Sequence, residues 1–149
     1  MKKIILIVCL VFFANAKEFH VKDNIGSFSL LDQFDTKHTI NKNIKTIIVS
    51  FEKQTSKDIN KFLNSKNATF LKEHNAVFIA NISSMPTIIT KLFALPKMKE
   101  YKHKILLIYD DADTRFKSVE GKSTLYRLKN GVITQIKFIT KDDLQKVFE

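Results

Sequence analysis

Apolar and polar positions along the chain fall into short blocks whose period switches between two and about 3.6. Alternation in Gly26-Ser27-Phe28-Ser29-Leu30-Leu31 and in Lys37-His38-Thr39-Ile40, either side of the turn-prone Asp32-Gln33-Phe34-Asp35, predicts a β-hairpin. Lys45-Thr46-Ile47-Ile48-Val49-Ser50-Phe51 is a β-branched run charged only at its edges, which predicts a central strand buried on both faces. Ile59, Phe62, Leu63, Phe70 and Leu71 then recur at helical spacing, with Thr55 and Asp58 placed as a capping box and a break expected near Asn67.

The alternation continues with a strand at Ala76-Val77-Phe78-Ile79-Ala80, a short helix from Thr87 to Phe93 after Pro86, and a strand at Ile105-Leu106-Leu107-Ile108-Tyr109. Strands alternating with helices predict a parallel core with helices on both faces. Farther on, Thr124 to Leu128 and Val132 to Ile139 flank Lys129-Asn130-Gly131. Asn-Gly suits a type I′ turn, whose two central residues need positive φ, so these strands are expected to pair antiparallel. A last helix is predicted from Lys141 to Phe148, with Thr140 and Asp143 as a capping pair and Leu144, Val147 and Phe148 as its buried stripe. The stretch from Ile82 to Met98 is unusually apolar and holds Pro86 and Pro96. It fits a core helix against the sheet, the expectation here, or an exposed partner surface.

The N-terminus follows a different logic. Lys2 and Lys3 precede ten apolar residues, Ile4 to Phe13, and then Ala14-Asn15-Ala16. This is the pattern of a secretory signal peptide over residues 1–16, cleaved after Ala16. The run is half of the roughly twenty residues that cross a bilayer as a helix, so a permanent anchor is not expected. Cys9 lies within the apolar run behind Val8, which does not suit lipoprotein attachment. Residues 17–149 are therefore expected to form a single exported, periplasmic domain, free of repeats, linkers and low-complexity tracts.

Cys9 is the only cysteine, so the expected mature domain holds no thiol for a disulfide, for thiol exchange or for a nucleophile. Stability must come from apolar burial, for which eleven of the chain's thirteen phenylalanines and many Ile, Leu and Val residues supply material. The formal net charge is +10, or +8 without Lys2 and Lys3. Its positive residues are nearly all lysines spread among acids, with Arg115 and Arg127 the two arginines. Nucleic-acid readers concentrate arginine and aromatics, so no nucleic-acid partner is expected; loose attraction to anionic envelope lipids or polymers fits better.

The order hairpin, β, α, β, α, β, connector, hairpin, α resembles the thioredoxin-like superfamily across nearly all of residues 17–149. Phe28-Ser29-Leu30-Leu31-Asp32-Gln33-Phe34 is similar to the N-terminal hairpin of its peroxiredoxin and TlpA-type members. Ser123-Thr124-Leu125-Tyr126-Arg127-Leu128-Lys129-Asn130-Gly131 is similar to the closing hairpin. Small exported YtfJ-like proteins share this layout and a short Thr-Ser segment after the first central strand, here Gln54-Thr55-Ser56-Lys57-Asp58. The resemblance implies an α/β fold, a mixed central β-sheet flanked by helices and closed by a C-terminal hairpin plus helix.

In redox members of that superfamily the reactive cysteines sit between the first central strand and its helix, whose N-terminus stabilises a thiolate. One alignment puts Ser56 and Ile59 in the two cysteine positions; the peroxiredoxin alignment keeps Thr55 and puts Asp58 at the cysteine. Ser123 stands where the family has a cis-proline. Neither thiol oxidoreductase nor peroxidase activity is expected. The resemblance marks Glu52, Lys53, Gln54, Thr55, Ser56, Asp58 and Ser123 as a candidate partner- or ligand-binding face.

Other chemistry finds less support. Ser56 as a nucleophile lacks a base, since His20, His38, His74 and His103 are remote in sequence, and helix capping accounts for Thr55 and Ser56. Asp110-Asp111-Ala112-Asp113-Thr114 is similar to the acidic loop of haloacid dehalogenase-type phosphatases, but its Thr is one place early and too little chain follows. It is expected to be a solvated loop leading into a helix. No spacing suits a transition metal, and three glycines leave no phosphate loop, so no metal or cofactor is expected. Two function classes stay open: a binding or scaffold module for an envelope protein or peptide, placed first, and a non-thiol enzyme or small-ligand binder using the same loop.

Overall fold

The β-branched runs become strands and the Asn-Gly pair becomes a turn in a computed structural model that describes residues 17–149. The predicted signal peptide, with Cys9, lies outside the described residues. The strands are β1 (Phe28–Asp32), β2 (Lys37–Ile40), β3 (Thr46–Ser50), β4 (Ala76–Asn81), β5 (Leu106–Ile108), β6 (Ser123–Lys129) and β7 (Val132–Ile139). They form one sheet in the order β2-β1-β5-β4-β3-β6-β7. β3, β4 and β5 are parallel, while β1 and β6 run antiparallel on either side of them. This is a thioredoxin-like α/β fold with a mixed sheet. All five residues of β3 are buried, as its charge-free run predicts.

The helices are α1 (Lys53–Asn64), α2 (Phe70–Glu73), α3 (Thr87–Ile89), α4 (Leu95–Met98) and α5 (Leu144–Val147). The break expected near Asn67 separates α1 from α2, and the Asn67 carboxamide accepts the backbone N–H of Thr69 at 3.1 Å. A π-helical turn, Thr90–Ala94, joins α3 to α4. Pro96 explains it: proline has no N–H for the carbonyl four residues back, and its ring would clash there in a regular helix. Before α5 comes a 3₁₀ turn, Lys141–Asp143, with the predicted Thr140 and Asp143 capping box in place.

Helices do not cover both faces as the alternation suggested. Ile59 and Leu63 of α1, Leu71 of α2, Met98 of α4, and Leu144 and Val147 of α5 all join one core, with Ile48, Phe78 and Leu107 from the sheet. The cause is topological. Strands β3, β4 and β5 step in one direction across the sheet, and crossovers of the same hand stepping in the same direction lie on the same face. The second core packs the alternate residues Ile47, Val49, Ile79, Leu106 and Ile108 against Phe19, Ile25 and Phe116. Among the described residues, no helix contributes to it.

Two irregular segments therefore close the second face. Residues 109–122 cross it from β5 to β6 without a helix, so the helix start expected after Asp110–Asp113 does not form. Asp110 takes the Ala112 N–H at 2.9 Å, and Asp113 forms a bidentate pair with Arg115, at 2.8 and 2.7 Å. The N-terminal segment lies along β7: Lys22 donates to the Ile133 carbonyl, Ile133 to that of Asp23, and Ile25 to that of Gly131. These bonds blunt the β7 edge, which would otherwise offer a row of unpaired groups to another chain.

The apolar stretch after β4 also departs from expectation. Ile88, Ile89, Leu92 and Phe93 are exposed, and only Thr90 and Met98 of the segment 87–98 are buried. It is not the core helix that its composition suggested.

Candidate cleft between the first helix and the closing hairpin

Strand β3 delivers the chain to the candidate site through Ser50, which is fully buried. Glu52, extended at φ −128° and ψ 153°, is the residue before α1, and the helix begins at Lys53, two residues earlier than the predicted capping box. That box does not form. The Glu52 carbonyl instead takes the Ser56 N–H at 3.0 Å and the Thr55 hydroxyl at 3.1 Å, so Thr55 back-bonds to the preceding turn. Asp58 accepts from the Gln54 carboxamide at 2.9 Å. Nor does Ser56 cap the helix: its hydroxyl lies 2.5 Å from that of Ser50.

The Glu52 carboxylate reaches across to accept the backbone N–H of Gly121 at 2.8 Å. Gly121 has φ +73°, the left-handed region natural to glycine, and sits inside a turn closed by Lys122 N–H to the Val119 carbonyl. This bond ties the end of the β5–β6 connector to the start of α1. It places Ser123, at the head of β6 and opposite Ile139, beside the first helix.

Between these parts lies a cleft of ≈ 210 Å³. Ile59, Ile139 and Leu144 supply its apolar surface; Thr55, Asp58, Ser123, Thr140, Lys141 and Asp142 supply hydroxyls and charges of both signs. Clefts that bury a drug-sized ligand measure roughly 300–1,000 Å³. This one suits a single side chain or a short stretch of peptide. A bulky nucleotide-type cofactor would not be enclosed.

The structure thus gathers Thr55, Asp58 and Ser123 around one cleft and puts Glu52 at its edge as a strut. Lys53, Gln54 and Ser56 are not among the lining residues. Sequence reasoning missed the far wall, Ile139 to Leu144, although the Thr140 and Asp143 capping signal placed a helix start there. It also missed the strut, because Glu52 and Gly121 are sixty-nine residues apart and share no motif.

No histidine serves this cleft, as the lining shows. His103 is buried elsewhere, its Nε2 2.8 Å from the Asn60 carboxamide oxygen. His38 pairs with Asp32 at 2.7 Å. Burial alone would raise the Asp32 carboxyl, but hydrogen bonds from His38, Thr36 and Phe34 and the charge of His38 outweigh it and hold the group below its ordinary value. Every peptide bond among the described residues is trans, including the one before Ser123.

No family model matches the sequence, and no curated protein does. Solved structures do. The peroxidoxin BcpB of Mycobacterium tuberculosis is similar with a TM-score of 0.54 at 15% identity, covering 86% of this chain and 94% of its own. The thioredoxin domain of a thiol-disulfide oxidoreductase from Bacteroides vulgatus matches with a TM-score of 0.53 at 12% identity, covering 89% of this chain and 100% of its own. A thio-disulfide isomerase from Thermus thermophilus matches with a TM-score of 0.51 at 18% identity over 87% and 94%. At such identities the likeness carries the fold, which is thioredoxin-like, and leaves function to the site.

Proposed function

We propose that this chain is an exported thioredoxin-fold module that holds an envelope protein or peptide in the cleft between α1 and the closing hairpin and carries out no thiol chemistry. One observation carries the reading. The place where redox members of this fold keep reactive cysteines is built here from Thr55, Asp58, Ile59 and Ser123, with the Ser56 hydroxyl turned onto Ser50. Residues 17–149 contain no cysteine, so a thiolate or a disulfide has no atom to form on. What remains is a recess with an apolar base and charges of both signs, able to take one anchoring side chain while the rim pairs with its backbone.

Export rests on the n-region, apolar run and Ala-x-Ala site of residues 1–16. Intact mass of the protein recovered from its own cells should correspond to a chain beginning at Lys17; a mass retaining Met1 to Ala16 would overturn cleavage.

The binding reading is tested by light lysine crosslinking in cells followed by gentle recovery and native mass spectrometry. A protein or peptide adduct that is lost in Asp58→Lys and Ser123→Tyr variants supports it. A retained small molecule would favour a ligand-binding or enzymatic use of the same cleft. Reduction of insulin disulfides or turnover of peroxide by the purified protein would refute the absence of thiol chemistry.

A further inference from the structure

The segment between β4 and β5 buries little of its apolar content. Ile88 is 64% exposed, Leu92 61%, Phe93 66% and Ile89 41%. Ile88 with Leu92, and Ile89 with Phe93, are four apart and share one side of the helical turns. Thr90 lies on the other side and is buried, its hydroxyl donating to the Pro86 carbonyl one turn back at 3.3 Å. Single exposed hydrophobics are ordinary on a protein surface; four large ones on one ridge are not.

The same segment is strongly basic. Lys91, Lys97, Lys99, Lys102 and Lys104 are all exposed, against one acid, Glu100. Lys97 pairs with Glu100 at 2.8 Å and Lys104 lies 3.7 Å from the Asp32 carboxylate, which still leaves positive charge in excess. A second copy of this chain fits badly, because two such faces brought together would set lysines against lysines. A surface offering both hydrocarbon and negative charge fits, since each nearby lysine is attracted to it.

We propose that the ridge from Pro86 to Lys104 docks this protein on the surface of an anionic phospholipid bilayer, with Ile88, Leu92 and Phe93 seated at the headgroup and acyl-chain boundary and the lysines among the phosphates. The contact is interfacial: among the described residues no helix is long and apolar enough to cross a membrane. The backbone suits such a setting, since the π-helical turn keeps its amides bonded, Leu95 N–H to the Thr90 carbonyl across the bulge. Interfacial helices of this kind combine an apolar face with lysines on the flank.

The chain contains no tryptophan, so Phe93→Trp introduces one fluorophore at the tip of the ridge. The protein is used as recovered from its own cells and titrated with vesicles of phosphatidylcholine alone or of phosphatidylcholine and phosphatidylglycerol in equal parts. The expected result is a blue shift and quenching by acyl-brominated lipid with the anionic vesicles only, weakened by added sodium chloride. Ile88→Ser and Leu92→Ser should each weaken partitioning by about tenfold. Both positions are exposed, and an unchanged circular dichroism melt separates that loss from misfolding. An emission spectrum indifferent to anionic vesicles overturns the proposal. So does vesicle binding that survives Ile88→Ser and Leu92→Ser together, which would place the contact elsewhere, or a blue shift that grows with protein concentration in the absence of lipid, which would make the occupant a second copy.

Discussion

His103 shows how one buried side chain sets a pH response. It is 3% exposed and stacks on Tyr101 with ring centroids 5.2 Å apart. Nε2 faces the Asn60 oxygen and so carries the proton, while Nδ1 has no hydrogen-bond partner among the described residues. Burial, with a lesser push from Lys102, lowers its pKa to about 4 from the ordinary 6.5. The unfolded chain therefore binds a proton that the folded one refuses between these values, and stability falls as pH drops from 6.5 towards 4. The loss should approach about 3 kcal/mol. Urea unfolding midpoints measured across this window should flatten in His103→Phe, at the cost of a lower plateau because Asn60 loses its partner; an unchanged slope would acquit His103. Gln33 is the contrasting case. Its buried carboxamide donates to the Met98 and His103 carbonyls and accepts from Ile105 N–H, so it is satisfied and does not titrate.

Among the elements, the closing hairpin is the one its own residues define most fully. Asn130 at φ 51° and Gly131 at φ 79° make the turn that the dipeptide predicts. A Cβ on Gly131 would also approach the Asn24 carboxamide oxygen to 3.3 Å, where the N-terminal segment crosses β7. Gly131→Ala should cost about 1 kcal/mol or more, and thermal melts compared with Gly26→Ala, whose site is open, would separate crowding from backbone strain. The first helix was less legible. Thr55 and Asp58 have the spacing of a capping box, but the Glu52 carbonyl offers Thr55 a nearer partner, and α1 starts at Lys53. The segment 87–98 was misjudged for a related reason: apolar spacing marks a face that wants cover, and says nothing about whether the fold supplies it.

At the scale of the whole molecule, the two faces of the sheet are closed by different means. Helices pack one; Phe19, Phe116 and Tyr126 close the other in edge-to-face contacts, with ring centroids from 5.4 to 6.4 Å apart. Arg115 braces this cluster, its guanidinium 4.2 Å from the Phe28 ring centroid and paired with Asp113. Inside it the Tyr126 hydroxyl accepts the Lys117 N–H at 2.7 Å, and burial pushes its pKa up to about 12. Because no helix backs this face, Phe116→Ala should open it and cost about 3–5 kcal/mol, read from urea unfolding. A loss below about 1 kcal/mol would mean that the connector is only draped over the sheet.

Local chemistry determined much of this protein from the sequence alone. The β-branched runs made strands, Asn130-Gly131 made a hairpin, Thr140 and Asp143 capped the last helical turns, and the lone Cys9 left residues 17–149 without a thiol. Each of these depends on neighbours within a few residues. The tertiary structure decided what depends on distant partners: that the helices share one face, that Glu52 holds Gly121, that Ser56 meets Ser50 and leaves the cleft to Thr55, Asp58, Ser123 and the 139–144 corner, and that Ile88, Leu92 and Phe93 stay in the open. Strand order selects among faces that look alike in one dimension, and only its choice turns an apolar stripe into core or into surface.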